Sequence, residues 1–159
     1  MTLSNFDLID IAKKYNLHLI GVYSKDELPL ISNRKSGAYI INLQDDKDSQ
    51  NNDLGGTHWT CFIVDARNAV YFDSFGIIYP RQVREFCKGL NLQYNTTQIQ
   101  HIDSKECGWF CIAFIHYYET TKRKLKDRLK WFVKLFHKDT LKNDDRLKSL
   151  LRQMKMSWF

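Results

Sequence analysis

An α+β domain is what the sequence predicts, on three observations. Helical and strand periodicities occupy separate stretches instead of alternating as β-α-β units. Two short strands are separated by a tight turn and read as a hairpin. One segment, CGWFCIAFIHYYE at 107–119, is apolar nearly all round, as a helix buried within a fold must be. The 159 residues match one domain over 1–159, because single cores form at roughly 100 to 200 residues. A content of 43% hydrophobic and 14% aromatic residues supplies a packed core and excludes a disordered chain.

Ser4 followed by Asp7 imitates a capping box, and Phe6, Leu8, Ile9, Ala12 and Tyr15 fall largely on one face of a short helix over 5–15. The apolar runs 17–22 and 38–43 predict strands with a loop between them. Residues 44–56, QDDKDSQNNDLGG, hold one hydrophobic side chain in thirteen and read as an exposed, mobile loop. That loop delivers THWTCFIVD, a strand with apolar groups on both sides, which turns at Ala66-Arg67-Asn68 into AVYFD. After Asp73-Ser74-Phe75-Gly76, Pro80 suits a helix start, and Val83, Phe86, Cys87 and Leu90 form its stripe, with an end near Gly89. TTQIQHI at 96–102 predicts a further strand, and the buried helix that follows has Cys107 in its first turn. Leu125, Leu129, Phe132, Val133 and Phe136 fit a basic helix over 122–137, and Leu147, Leu150, Leu151 and Met154 fit a last one.

No apolar run approaches the roughly 20 residues of a membrane span, and the first residues lack the pattern of a secretory leader. The expectation is therefore a protein of the cell interior, neither secreted nor membrane-bound. Cys61, Cys87, Cys107 and Cys111 show no CxxC spacing and no disulfide framework, which suits a reducing compartment where a thiol persists. The net charge of +6 is concentrated in KRKLKDRLKWFVKLFHK, residues 122–138, whose Lys and Arg face the single acidic residue Asp127. Lys122, Arg123, Lys124, Lys126, Arg128 and Lys130 are candidate phosphate contacts, with Trp131 or Phe132 reaching toward nucleic acid. The plainer alternative is an apolar stripe packed on the core with its cations solvated.

Cys107 is the candidate nucleophile. A thiol reacts as the thiolate, and a helix N-terminus or a neighbouring imidazolium favours that form. Gly108 follows it, leaving backbone N–H groups near the sulfur open to a developing oxyanion. His58 opens one hairpin strand and Asp73 closes the other, so an imidazole and an orienting carboxylate fall at one end of adjacent strands. Asp65 is the rival carboxylate, at the turn end of the hairpin. Gln100, seven residues before Cys107, can aim an amide N–H at the oxyanion position.

These residues carry a resemblance. GGTHWTCFIV, VYFDSFG and QHIDSKECGWFCIAFIHY occur in the order His, Asp, Gln, Cys, whereas papain itself runs Cys, His, Asn. In the HW pair, the DSFG segment and the Q-x6-CG-x-FC block, the chain resembles the adenain and SUMO-protease group of cysteine proteases. It especially resembles the short maturation proteases of adenoviruses, virophages and Polinton-type elements. The match covers residues 38–118. It implies a papain-like α+β fold, with a central helix bearing the Cys packed on a mixed sheet. It implies Cys107 as nucleophile, His58 as base, Asp73 as orienter, and Gln100 with the Cys107 backbone N–H as oxyanion hole. Trp59 matches the Trp that narrows the cleft, with Gly108 beside it, which implies cleavage next to Gly or another small residue. The implied substrate is a capsid or core precursor, met by a monomeric enzyme in the virion or the host cytoplasm or nucleus. DNA is the implied activator, and no cofactor is implied.

Other readings keep parts of this picture. A deconjugating peptidase for ubiquitin-like modifiers needs a larger docking surface than so short a chain offers. Acetyltransferase effectors share the His, acidic residue, Cys order, yet nothing in the sequence obviously binds an acyl-coenzyme A. A basic DNA-associated protein on an inactive protease fold is the non-enzymatic alternative. The His58/Cys61 and Cys107/Cys111/His116 spacings do not reproduce structural zinc patterns, so no metal is expected.

Overall fold

The computed structural model describes residues 2–44 and 58–156. The loop expected at 44–56, with its Gly-Gly pair, therefore lies outside the described residues apart from Gln44. Alternation of apolar side chains builds the centre of the fold. Strands β1 (Leu19–Ser24), β2 (Gly37–Asn42), β3 (Trp59–Asp65), β4 (Asn68–Phe72) and β5 (Asn91–Tyr94) form one sheet in that spatial order. Strands β2, β3 and β4 are antiparallel, while β1 joins β2 and β5 joins β4 in parallel, so the sheet is mixed. The expected hairpin is β3–β4, closed by Ala66 and Arg67, with Asp65 opposite Asn68 and Cys61 opposite Phe72. So tight a turn requires a left-handed residue, and Ala66 supplies it at φ 54°.

The period-2 pattern divides the core in two. Cys61, Ile63, Val70 and Phe72 face one layer, and Phe62, Val64, Ala69 and Tyr71 face the other. The first layer holds α1 (Asn5–Lys14), α3 (Cys107–Thr120), α4 (Arg128–Lys134) and α5 (Asn143–Gln153). The second holds α2 (Arg81–Phe86) and a 3-10 turn, Lys25–Leu30. Helix α3 is buried from Cys107 through Ile115, as its apolar sequence predicts, because it lies between the sheet and the other helices. Phe114 stacks on Phe72 with ring centroids 4.9 Å apart, and Phe132 of α4 meets both at 5.3 and 5.4 Å.

The capping box of α1 forms as expected, with Ser4 and Asp7 each accepting the other's backbone N–H. Its buried face is Leu8, Ile11 and Ala12, however, and Phe6 is 72% exposed. Helix α2 is shorter than its stripe suggests, because the backbone leaves the helix at Cys87 and turns at Gly89, φ 86°. No strand forms at 96–102. The fifth strand is Asn91–Tyr94, and beyond it Ile99 N and Gln100 N both donate to the single carbonyl of Ser74, at 2.9 and 3.0 Å, instead of to a ladder. The basic helix also contracts: 125–127 is a 3-10 turn and α4 begins only at Arg128, leaving Leu125 40% exposed.

Phe132 is fully buried among Phe72, Phe114, Tyr117 and Phe136, so Phe132→Ala is expected to cost about 3–5 kcal/mol in a denaturant melt. Phe6→Ala should stay within about 0.5 kcal/mol of the parent. Equal losses for the two variants would contradict this core.

Candidate active site

The hairpin register decides which groups meet. Pairing Cys61 with Phe72 puts the start of β3 and the end of β4 at one edge, so His58 and Asp73 emerge side by side. His58 Nε2 lies 2.7 Å from Asp73 Oδ1. Asp65, at the opposite end of the hairpin, accepts from the Tyr118 hydroxyl at 3.1 Å. Helix α3 brings its first residue beneath the same edge. Trp59 N donates to Cys107 Sγ at 3.4 Å, and one turn on, Cys111 Sγ donates to Trp59 O at 3.5 Å. The Trp59 peptide is thus held by two thiols on one helix face. The Cys107 side chain also interacts with the His58 ring.

The imidazole therefore meets both the carboxylate and the thiol. Burial disfavours the charged ring of His58, but the hydrogen bonds to Asp73 and Cys107 and the charges of both outweigh it and raise its pKa to about 9. That direction favours the protonated ring at neutral pH. Its ring also leans on Phe75, centroids 4.6 Å apart, and its side chain is 18% exposed against 0% for Asp73. The other thiols have different surroundings: burial pushes Cys87 up to about 11 and Cys111 well above the usual thiol value. The Glu106 side chain, at the N-cap of α3, makes no capping hydrogen bond.

Asp73 is fixed from several directions. Its Oδ1 also accepts from Phe75 N at 2.8 Å, and Oδ2 is buried with no hydrogen-bond partner among the described residues. Asn95 Oδ1 accepts from Asp73 N at 3.0 Å, and Asn95 Nδ2 donates to Asp73 O at 2.7 Å. Gly76, at φ 72°, permits the turn after it, and a Cβ there would stand 2.7 Å from the backbone of Thr97. Gln100 is 1% exposed, with its carbonyl oxygen accepting from Ser74 Oγ and its Nε2 donating to Ser104 O at 2.9 Å. Sequence reasoning did not single out Asn95, and it met Ser74 only as part of the DSFG segment, with no role of its own. A single Asn after a weak strand and a single Ser in a turn carry no periodic signal.

Trp59 is 5% exposed, with its indole N–H donated to Leu3 O at 2.9 Å, and it borders an open cavity of about 470 Å³ lined also by Leu3, Tyr23, Ser24 and Asn42. Gly108 is buried, and a Cβ there would meet Leu3 at 3.2 Å. Among the cations, Lys122, Arg123, Lys124, Lys126 and Lys130 are exposed, while Arg128 is half-buried and donates to Tyr118 O and Arg123 O. Phe132 lies in the core and is unable to reach a nucleic acid, and the Trp131 ring is covered by Arg123 at 3.8 Å and Lys134 at 4.8 Å. That basic segment starts beyond the far end of α3, about 20 Å from Cys107 at about 1.5 Å per helical residue. Among the described residues no group of three His, Cys, Asp or Glu side chains gathers to hold a metal, and no helix is long and apolar enough to cross a membrane.

No protein-family model matches the chain, and no curated protein does. Solved structures do match. With the pS273R protease of ASFV the identity is 14% over 99% of this chain and 69% of that one, at a TM-score of 0.64. With ChlaDub1 of Chlamydia trachomatis it is 20% over 84% of this chain, at a TM-score of 0.50. The chain spans 65% of the length of ChlaDub1, slightly under two thirds. At these identities the likeness is one of architecture: the chain has the papain-like α+β fold of the adenain and SUMO-protease group of cysteine proteases.

Proposed function

We propose that the protein is a monomeric cysteine endopeptidase that processes capsid or core precursors of a DNA virus or virus-like element next to Gly or another small residue. The observation that carries the reading is the placement of the His58 ring against both the Asp73 carboxylate and Cys107, at the start of a buried helix. The fold shared with the pS273R protease supports it.

In this mechanism Cys107 attacks the scissile carbonyl as the thiolate while His58 holds the proton. A C–S bond forms, and the negative charge moves to the carbonyl oxygen. The Cys107 backbone N–H and the Gln100 amide stabilise that oxygen. Without substrate, Gln100 Nε2 donates to Ser104 O at 2.9 Å and to Ser104 Oγ at 3.3 Å, and the oxyanion has to replace one of these acceptors. His58 then gives its proton to the leaving amine as the C–N bond breaks, leaving a thioester. The neutral ring next takes a proton from water, hydroxide adds to the thioester, and loss of the C–S bond restores the starting pair. Asp73 keeps Nε2 occupied and steadies the ring while it is charged. The exposed Lys122, Arg123, Lys124, Lys126 and Lys130 suit duplex DNA as an activating partner.

Cys107→Ala and His58→Ala should each lower precursor cleavage by about a thousandfold or more, read by mass-spectrometric mapping of new termini. Undiminished cleavage by Cys107→Ala would remove the nucleophile assignment. In the same assay, duplex DNA should speed cleavage at low salt and lose its effect at high salt, and a rate indifferent to DNA would remove that partner. Covalent capture by a ubiquitin or SUMO probe with a C-terminal electrophile, without precursor cleavage, would move the substrate to ubiquitin-like modifiers.

The pH dependence follows from His58. Its folded pKa of about 9 lies above the ordinary value, so the charged pair contributes fully below pH 6.5 and its contribution fades as pH rises through about 9. An NMR titration of the ring should give a midpoint near 9 in the parent. Asp73→Asn should bring it down, because burial then meets less opposition. A midpoint that Asp73→Asn leaves unmoved would contradict the pairing.

A further inference from the structure

We propose that Asn95 is a positioning residue of this site: its buried side-chain amide fixes Asp73, and through it the ring of His58, by supplying the next rung of the β4–β5 ladder. The inference rests on the peptidase reading for its catalytic consequence, although its geometry does not.

Strands β4 and β5 run parallel, with Tyr71 opposite Tyr94, and there the pairing ends. Asp73 lies two residues further on, fully buried, and a buried N–H and C=O left unpaired are costly. A carboxamide carries the same donor and acceptor as a peptide. Asn95, the first residue after β5 and 7% exposed, turns that group onto Asp73 and completes both bonds, accepting at 3.0 Å and donating at 2.7 Å. Asp73 O also accepts from Gly76 N at 2.8 Å. The Asp73 backbone is therefore gripped on both groups by one side chain, and its carboxylate is carried to 2.7 Å from His58 Nε2. Both of the shorter bonds that Asn95 makes land on this one residue, the third reaching Thr97 O at 3.4 Å. That concentration distinguishes positioning from general bracing.

The test compares Asn95→Ala with Val83→Ala, a buried residue of α2 on the other face of the sheet. Asn95→Ala should lower kcat by about 10- to 100-fold with KM changed by less than about twofold, since a displacement of about 1 Å costs that much. It should also lower the His58 NMR midpoint by about one unit, because a displaced carboxylate opposes burial less. Val83→Ala should lower Tm and leave that midpoint in place. Asn95→Asp supplies a rescue: once protonated, the new carboxyl again offers a donor and an acceptor. Its kcat relative to the parent should recover about tenfold from pH 7 to pH 5. An unchanged His58 midpoint in Asn95→Ala, an equal fall in Val83→Ala, or a flat Asn95→Asp ratio would each overturn the proposal. Absence of peptidase activity in the parent would sink the functional reading alone, since the titration tests Asn95 without any substrate.

Discussion

A carboxylate with no solvent exposure is held 2.7 Å from an imidazole, and the surrounding structure is organised by the need to keep that charge paired. Taking a carboxylate out of water costs on the order of several kcal/mol unless partners compensate. Asp73 finds the His58 ring and the Phe75 N–H, and its backbone is satisfied by Asn95 and Gly76. The same contacts that make the burial tolerable also fix the ring in direction. Stability and orientation here have one cause, which is why a turn with a left-handed glycine and an irregular strand exit sit together at this edge.

The thiol arrives by a different route. Helix α3 is buried because its side chains are apolar on every face, and the sheet and three further helices enclose it. Its first turn is carried to the hairpin edge by that packing, and the Trp59 peptide is clasped between Cys107 and Cys111. Two independent parts of the core, a hairpin register and a helix–sheet contact, therefore intersect at His58. A shift of one residue in the register would turn the side chains of β3 to the wrong layers and separate the intersection.

Strong periodic signals were legible in the sequence. The hairpin, the capped first helix and the all-apolar helix each follow from patterning that tertiary context had no reason to override. The adjacency of His58 and Asp73 was readable for the same reason, since a tight turn leaves one register for its strands. Misreadings occurred where local pattern and tertiary contacts disagree. TTQIQHI alternates like a strand, but its amides go to Ser74 and its neighbour Asn95 spends its amide on Asp73, so no ladder forms. Residues 122–124 look helical by composition, yet the helix starts at Arg128, whose guanidinium binds two preceding carbonyls. Phe6 and Ile11 exchanged roles because the face of α1 is set by what it packs on.

The central claim is that the sulfur of Cys107 bonds to the substrate's acyl group. It is tested most directly by quenching the protein with acid during turnover of a peptide ester ending in Gly and locating the adduct by peptide mapping. The account predicts an acyl group on Cys107 alone, hydrolysed at neutral pH and accumulating less in His58→Ala. An adduct on Cys61, Cys87 or Cys111, or none on any cysteine while product forms, would contradict it.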